Sequence, residues 1–216
     1  MLGGLALGGC RGGGRTEASP SPHASPAAAA AADDRPVILF VGTSLTAGLG
    51  LDPSEAYPGL VQEKIDAAGL RYRVVNGGVS GETSAGARRR MGWLLRQPVA
   101  VLVVETGAND GLRGQDPAAT RENIQAILAE ARRQTPSPKL VLAAMEALPN
   151  YGEDYRQRFR AIYPELAKTN GATLLPFLLE GVAGDPVLNQ PDGIHPTAEG
   201  HERIADNVWK TLRPIL

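Results

Sequence analysis

The chain has 216 residues, of which 43% are hydrophobic and 21% are charged, and its formal net charge is −1. This composition is typical of a soluble globular protein of one or two domains, and the near-neutral charge argues against a nucleic-acid partner or a polybasic membrane contact. Cys10 is the only cysteine, which excludes a disulfide framework and a cysteine-based metal site. No apolar run reaches the roughly 18 residues that a membrane-spanning helix needs.

Residues 1–35 differ in composition from the rest of the chain. The stretch LALGGC, which ends at Cys10, resembles a bacterial lipoprotein signal, in which the cysteine is lipidated after cleavage. Residues 11–35 are rich in Thr, Ser, Pro and Ala and predict a disordered linker. No positive residue precedes Cys10 and the apolar run is short, so an uncleaved disordered tail is the alternative. The first interpretation places a domain of residues 36–216 in the periplasm or on a membrane anchor, and the second places it in the cytoplasm.

From residue 36 onward, strand and helix patterns alternate five times. Apolar runs rich in β-branched residues predict strands at 37–41, 72–75, 99–104, 139–144 and 172–175. Apolar residues at helical spacing predict helices at 58–68, 88–96, 117–131, 155–166 and 198–212. We interpret the run Arg88–Arg90 as a solvated helix face. The alternation predicts an α/β fold, with a five-stranded parallel sheet between two helical layers, a three-layer α/β/α sandwich.

Unusual polar residues follow the predicted strands. Ser44 comes just after the first strand, the turn 78–81 after the second and Asn109 after the third, while Asp192 and His195 precede the last helix. In an open parallel sheet, the ligand crevice lies at the carboxyl ends of the strands. We therefore expect these residues to meet at one edge of the sheet, and this inference is stronger than any single motif.

A serine becomes a nucleophile when a base takes its proton and a third group orients that base. Of the three histidines, His23 lies in the linker and His201 on the apolar stripe of the last helix, where a buried structural role is favoured. His195 is left as the base. Asp192, three residues earlier, is near enough to bond its Nδ1 and leave Nε2 facing Ser44. Taken alone, each of these motifs is typical of an ordinary turn or helix cap.

An acyl-transfer site also needs hydrogen-bond donors for the oxyanion. The backbone N–H groups of Ser44 and Gly81 are candidates, because glycine allows a close approach of the backbone, and Asn109 adds a side-chain amide. The stretches around Gly81 and Asn109 are also ordinary turn sequences. Because they fall at the same edge of the predicted sheet as the serine and histidine motifs, together these stretches favour an acyl-transfer site.

Four blocks carry a resemblance to a known family: GTSL at 42–45, NGGVSGET at 76–83, GANDGLRG at 107–114 and DGIHP at 192–196. In this order and spacing they resemble the SGNH, or GDSL, hydrolases, and most closely the branch of bacterial thioesterase I/lysophospholipase and arylesterase enzymes. The resemblance covers almost all of residues 37–214. It implies a flavodoxin-like fold and the hydrolysis of carboxylic esters or thioesters without a cofactor.

Residue by residue, the resemblance implies Ser44 as nucleophile, Asp192 and His195 as triad partners, and Ser44, Gly81 and Asn109 as oxyanion-hole donors. The residues that we expect in the substrate pocket are Leu45, Asp110, Leu112, Pro149, Tyr151 and Ile194, with the stretch 149–152 as a wall. One position departs from the pattern, because the family usually has Asp where Thr43 stands. Position 43 is outside the triad, so we expect catalysis to survive the change.

Other motifs fit less well. An α/β-hydrolase needs G-x-S-x-G, whose second glycine is missing from residues 42–46, and neither a dinucleotide fingerprint nor a Walker A loop is present. No second ligand cluster supports a metal beside Asp192 and His195, so we expect no metal. The resemblance to the SGNH hydrolases implies that no cofactor is needed either. Two alternatives stay open: a carbohydrate acetyl-esterase, and a non-catalytic binding module in which Ser44 is unreactive. We expect a monomer whose partner is a small-molecule acyl ester or thioester, with Cys10 as the site of any membrane tether.

Overall fold

All five predicted strands lie in one parallel sheet in the computed structural model, which describes residues 33–216. They are β1 (Val37–Gly42), β2 (Arg73–Gly78), β3 (Val101–Val104), β4 (Lys139–Ala143) and β5 (Thr173–Leu175). Their spatial order is β2-β1-β3-β4-β5, and every neighbouring pair is parallel. This is the flavodoxin-like order, whose switch point lies between β1 and β3. The predicted fold class is therefore confirmed.

Helices cover both faces of the sheet. The α-helices of the described residues are α1 (Ser44–Ala47), α2 (Tyr57–Ala67), α3 (Ser84–Leu94), α4 (Ala108–Leu112), α5 (Pro117–Ala131), α6 (Glu153–Asn170) and α7 (Ala198–Leu212). Helices α2 and α7 pack on each other at one face, and α3, α5 and α6 pack side by side at the other. Asp116 and Thr197 cap α5 and α7 by accepting backbone N–H groups, as their sequence context predicts.

The two central strands are the most buried elements. Every residue of β1 and β3 is buried, which explains why their apolar runs show no alternation. Phe40 in β1 packs edge-on against Tyr57 in α2, with ring centroids 5.6 Å apart. The carboxyl ends of these strands therefore extend from a tightly packed core.

Two short helices were not predicted. Helices α1 and α4 follow the carboxyl ends of β1 and β3, where the sequence had indicated turns. Four or five residues are too few to show a helical period, so no pattern could reveal them. They matter because α1 begins at Ser44 and α4 contains Asn109.

The compact unit begins at Asp34, two residues before the expected domain boundary. Arg71 forms an ion pair with Asp34 at 3.2 Å, and Arg35 donates to the carbonyl of Tyr72. The predictions about Cys10, the signal and the remaining linker concern residues outside those that the structure describes. Within residues 33–216, no helix has both the length and the apolar character that crossing a membrane requires.

Candidate active site

Ser44, His195 and Asp192 form a chain of hydrogen bonds at the carboxyl end of the sheet. Ser44 is the first residue of α1 and is 8% exposed. Its Oγ lies 2.9 Å from Nε2 of His195, and Nδ1 of His195 lies 2.6 Å from Oδ2 of Asp192. A hydroxyl, an imidazole and a carboxylate in this order allow the ring to take the serine proton while the carboxylate orients it. The structure thus brings together the three residues predicted to form the triad.

Asp192 is held by its own loop. Its Oδ1 accepts the backbone N–H groups of Ile194 and His195, each at 3.0 Å, which leaves Oδ2 for the imidazole. Gly193 has a φ of +75°, a left-handed conformation that glycine adopts without strain. The backbone N–H groups, followed by the His195 ring, lower the pKa of Asp192 from 3.8 to about 2. The carboxylate is therefore charged at any pH near neutrality.

Gln190 joins the histidine loop to the segment after the nucleophile. Its Nε2 donates to the carbonyls of Leu49 at 2.8 Å and Pro196 at 2.9 Å, and its backbone N–H donates to the carbonyl of His195 at 2.7 Å. A Cβ at Gly50 would lie 2.7 Å from Oε1 of Gln190, so the glycine makes room for this side chain. No local pattern identifies Gln190, because its contact with Leu49 spans 141 residues.

Donors suited to an oxyanion lie beside the serine. The N–H groups of Ser44 and Gly81 donate to no acceptor within residues 33–216, and both residues line the same cleft. Asn109 lines it too, and its Nδ2 donates to the carbonyl of Glu82 at 3.0 Å. That bond fixes the amide and leaves its second N–H available. The three predicted oxyanion donors therefore share one cleft with the serine.

An ion pair holds the loop that carries Gly81. Nε and Nη2 of Arg90 bind the carboxylate of Glu82 at 2.7–2.9 Å, and Nη2 also donates to the carbonyl of Gly77 at 2.6 Å. The Glu82 side chain is 9% exposed and the Arg90 side chain 19%, so water screens this pair only weakly. The interpretation of Arg88–Arg90 as a solvated face is wrong for Arg90, because the loop after β2 supplies its partners.

The serine opens into an apolar cleft of about 600 Å³, a volume within the usual range of ligand pockets. Its walls come from the segments that follow all five strands and from the histidine loop. Four of the expected pocket residues line it: Leu45, Leu112, Pro149 and Ile194. Apolar lining residues that the sequence analysis missed include Met145, Ala147, Leu148, Phe177 and Leu179.

Two residues expected in the pocket do not line it. Asp110 is fully buried, and its carboxylate accepts the hydroxyl of Ser84 at 2.5 Å and its backbone N–H at 2.8 Å, which ties α4 to the start of α3. Tyr151 donates its hydroxyl to the carbonyl of Leu112 at 3.2 Å, and its ring packs on Tyr155. Tyr151 thus supports the segment that carries Leu112 without lining the cleft.

Residues 40–203 match the GDSL-like Lipase/Acylhydrolase family. The chain belongs to this family. It is 41% identical over 180 residues to Esterase TesA of Pseudomonas aeruginosa, a match that covers 83% of this chain and 89% of that protein. It is 40% identical over 190 residues to Thioesterase 1/protease 1/lysophospholipase L1 of Escherichia coli strain K12, covering 87% of each chain.

Solved structures are similar along nearly their whole length. The crystal structure of TesA matches with a TM-score of 0.78 and 41% identity, covering 83% of this chain and 99% of that one. The psychrotrophic esterase EstA from Pseudoalteromonas, inhibited by monoethylphosphonate, matches with a TM-score of 0.78 and 31% identity, covering 83% and 97%. These similarities confirm the predicted family, fold and enzyme class, so this GDSL-like protein is a carboxylic ester hydrolase.

The hydrolase departs from the family pattern at Thr43, and the structure shows which contacts that residue makes. Its hydroxyl lies 3.0–3.1 Å from both carboxylate oxygens of Glu105, which is fully buried just past β3. Glu105 was not among the predicted site residues, because a single acidic residue at a strand end carries no distinctive motif.

His201 has the contacts expected of a structural histidine. It is fully buried in α7, its Nδ1 accepts the backbone N–H of Tyr57 at 3.1 Å, and the two rings are stacked. Burial, followed by the charge of His195, lowers the pKa of His201 from 6.5 to about 4, so the ring is neutral. Within residues 33–216, no group of three His, Cys, Asp or Glu side chains is placed to hold a metal ion.

Proposed function

We propose that this hydrolase is a serine esterase that cleaves carboxylic esters and thioesters of apolar acyl chains with Ser44 as its nucleophile. One observation carries the proposal: the hydrogen-bonded chain from Ser44 through His195 to Asp192 opens into the apolar cleft. Nucleophile, base and orienting carboxylate are thus within hydrogen-bonding distance before a substrate binds.

The reaction proceeds in two halves. In the first, Oγ of Ser44 attacks the acyl carbonyl carbon while Nε2 of His195 takes the serine proton. The carbonyl oxygen becomes an oxyanion, which the N–H groups of Ser44 and Gly81 and the amide of Asn109 stabilise. The leaving alcohol or thiol departs with the proton from His195. In the second half, water attacks the acyl-enzyme, His195 again transfers the proton, and the free acid and Ser44 are released.

The cleft supports an acyl chain over an acetylated sugar. Its walls are mainly aliphatic, with Leu45, Leu112, Leu179 and Ile194 among the lining residues, and its volume of about 600 Å³ greatly exceeds an acetyl group. A carbohydrate would instead need polar partners for its hydroxyl groups. The names of the relatives, an esterase and a thioesterase/lysophospholipase, support acyl esters as the substrate class.

The test is hydrolysis of p-nitrophenyl acetate, butyrate, octanoate and palmitate, octanoyl-CoA and acetyl-xylan by the full chain. We expect octanoate and octanoyl-CoA to be cleaved with higher kcat/KM than acetate. Ser44→Ala should abolish hydrolysis, whereas Ser54→Ala, which changes an exposed serine bonded to Asp52, should leave it unchanged. Preference for acetyl-xylan would favour the carbohydrate acetyl-esterase. Activity that survives in Ser44→Ala would contradict the proposal.

We also propose that Cys10 is lipidated and tethers a monomeric hydrolase to a bacterial membrane, so that it works in the periplasm. The stretch LALGGC and the linker composition support this interpretation. Palmitate should label the full chain in cells and should not label Cys10→Ser. Equal labelling of the two chains would contradict lipidation at Cys10, and light scattering of the purified Cys10→Ser chain measures the oligomeric state.

A further inference from the structure

The buried carboxylate of Glu105 binds the turn that carries Ser44. Glu105 is fully buried, and its Oε2 accepts the backbone N–H of Thr43 and the hydroxyl of Thr46, each at 2.8 Å. The hydroxyl of Thr43 lies 3.0 and 3.1 Å from the two carboxylate oxygens. Glu105 therefore bonds residues on both sides of Ser44.

The backbone leaves space for this carboxylate. A Cβ at Gly42 would lie 1.9 Å from Oγ1 of Thr46 and 2.6 Å from Oε2 of Glu105, so only glycine fits there. Tyr57 extends the network, because its hydroxyl lies 2.7 Å from Oγ1 of Thr46. Within residues 33–216, no Lys or Arg side chain pairs with Glu105, so neutral donors alone satisfy the carboxylate.

Such a carboxylate is costly to bury. Desolvation raises the pKa of Glu105 from 4.5 to about 7, although the bonds from Thr43 and Thr46 act in the opposite direction. The charge of Glu105 also acts on Tyr57 and Tyr163, whose pKa values are raised well above 10 with burial as the first cause, so both stay neutral. A buried acid without a cationic partner adds little to stability, which favours a role in the adjoining site.

The turn needs outside support. Helix α1 has only four residues, and a helix of one turn is unstable without tertiary contacts. Oγ1 of Thr43 accepts the backbone N–H of Leu45 at 3.4 Å while its hydroxyl proton is available to Glu105, so Thr43 links the carboxylate to the first turn. Where the family usually has Asp, Thr43 gives Glu105 a donor rather than a second carboxylate.

We propose that Glu105 is a positioning residue, which acts through Thr43 and Thr46 to orient Ser44 toward His195. This inference rests on the proposed function, because it assigns a role relative to the nucleophile. Loss of Glu105 should slow the attack by Ser44, because the serine would be less well oriented. Substrate binding should stay unchanged, because Glu105 does not line the cleft. If Glu105 served stability alone, its substitution would lower the midpoint of thermal unfolding without lowering kcat.

The test compares Glu105→Gln, Thr43→Val and Thr43→Ser in the full chain. Gln keeps the shape of Glu105 without its charge, Val removes the hydroxyl of Thr43, and Ser retains it. We expect Glu105→Gln and Thr43→Val to lower kcat at least tenfold with KM within twofold. The rate at which a fluorophosphonate modifies Ser44 should fall by a similar factor. Thr43→Ser should restore kcat to within threefold of the unmodified chain.

Asn170→Ala is the stability control. Asn170 is buried at the end of α6 and bonds Gln125 and the carbonyl of Leu166, so its loss should lower the unfolding midpoint and leave kcat unchanged. A folded Glu105→Gln enzyme with kcat within twofold of the unmodified chain would overturn the proposal. If Glu105→Gln does not fold, the Thr43 pair decides, and equal kcat values in the Val and Ser variants would overturn it. An inactive unmodified chain would instead contradict the proposed function.

Discussion

Nε2 of His195 lies 2.9 Å from Oγ of Ser44, although 151 residues separate them in the chain. Ser44 follows central strand β1, and His195 lies in a loop that the side chain of Gln190 ties to the segment after α1. The order of the strands, rather than any local motif, brings the two together. Because Ser44 and His195 lie on different elements, the residues that support the serine and those that support the histidine can be altered separately.

Asp192→Asn should lower kcat by about 10³–10⁴, by analogy with the effect of this change in other serine triads. Oδ1 of Asp192 accepts two backbone N–H groups and Oδ2 accepts the imidazole. An amide has only one acceptor oxygen, so one of these two positions would face a donor. Steady-state kinetics with p-nitrophenyl octanoate measure the loss.

The matched control for that change is Asp185→Asn. Asp185 accepts the backbone N–H of Val187 at 2.8 Å in a similar tight turn, but it contacts no triad residue. We expect the kcat of the Asp185→Asn variant to stay within twofold of that of the unmodified chain. If both variants lose activity equally, the charge of Asp192 is not the cause.

Asn109→Ala should lower kcat by about 10²–10³, since removal of one oxyanion donor in other enzymes has that effect. KM should change little, because the donor is stronger toward the transition state than toward the ground state. Asn207→Ala removes a comparable bond, from Nδ2 to the carbonyl of Glu180, and should leave kcat unchanged. A large rise in KM with constant kcat would contradict the oxyanion role.

Arg90→Lys should lower both the unfolding midpoint and kcat. Lysine keeps the charge but cannot bind the Glu82 carboxylate in two places and reach the carbonyl of Gly77 as well. The loop that carries Gly81 would then be less well fixed, and we expect a fall in kcat of about tenfold. Arg88→Lys, in an exposed ion pair with Glu122, should change neither quantity. Equal effects of the two changes would show that the contacts of Arg90 with Glu82 and Gly77 do not position the loop.

Stability should depend on pH through Glu105. Its pKa is about 7 in the folded state and 4.5 when exposed, so between these values the folded chain binds the proton more strongly. The contribution to stability is complete below pH 4.5 and is lost as the pH rises through 7, a change of about 3 kcal/mol. His201 acts in the opposite direction, because folding lowers its pKa from 6.5 to about 4 and its contribution is lost as the pH falls between these values. A comparison with Glu105→Gln, which keeps His201, isolates the contribution of Glu105.

Urea unfolding of the unmodified chain and of Glu105→Gln at pH 5, 6, 7 and 8 measures this dependence. The free energy of unfolding of the unmodified chain should fall relative to the variant as the pH rises. A constant difference across this range would contradict the assigned pKa.

The sequence predicted the five strands, the five long helices and the meeting of the triad residues, because each depends on a strong signal. Buried β-branched runs identify central strands, and parallel strands place their following loops at one edge. The position of Asp192 three residues before His195 predicted, from local sequence alone, that the two side chains could form a hydrogen bond.

The sequence could not reveal contacts that depend on tertiary packing. Asp110 follows Asn109 in the chain, but the helical turn of α4 directs it to Ser84, away from the cleft lining. Arg90 looked like part of a solvated run until the loop after β2 supplied Glu82 as a partner. Glu105 carries no motif at all, and its role emerges only from the bonds that Thr43 and Thr46 donate to it.

Peptide mapping of the full chain after reaction with a fluorophosphonate tests most directly whether Ser44 is the nucleophile. The phosphorus should bond to Oγ of Ser44 with loss of fluoride, in step with the loss of esterase activity. We expect one adduct, on the peptide that contains Ser44, with none in Ser44→Ala and a strongly reduced rate in His195→Gln. Complete inhibition with Ser44 unmodified, or an adduct on another residue that accounts for the lost activity, would contradict the assignment of Ser44 as the nucleophile.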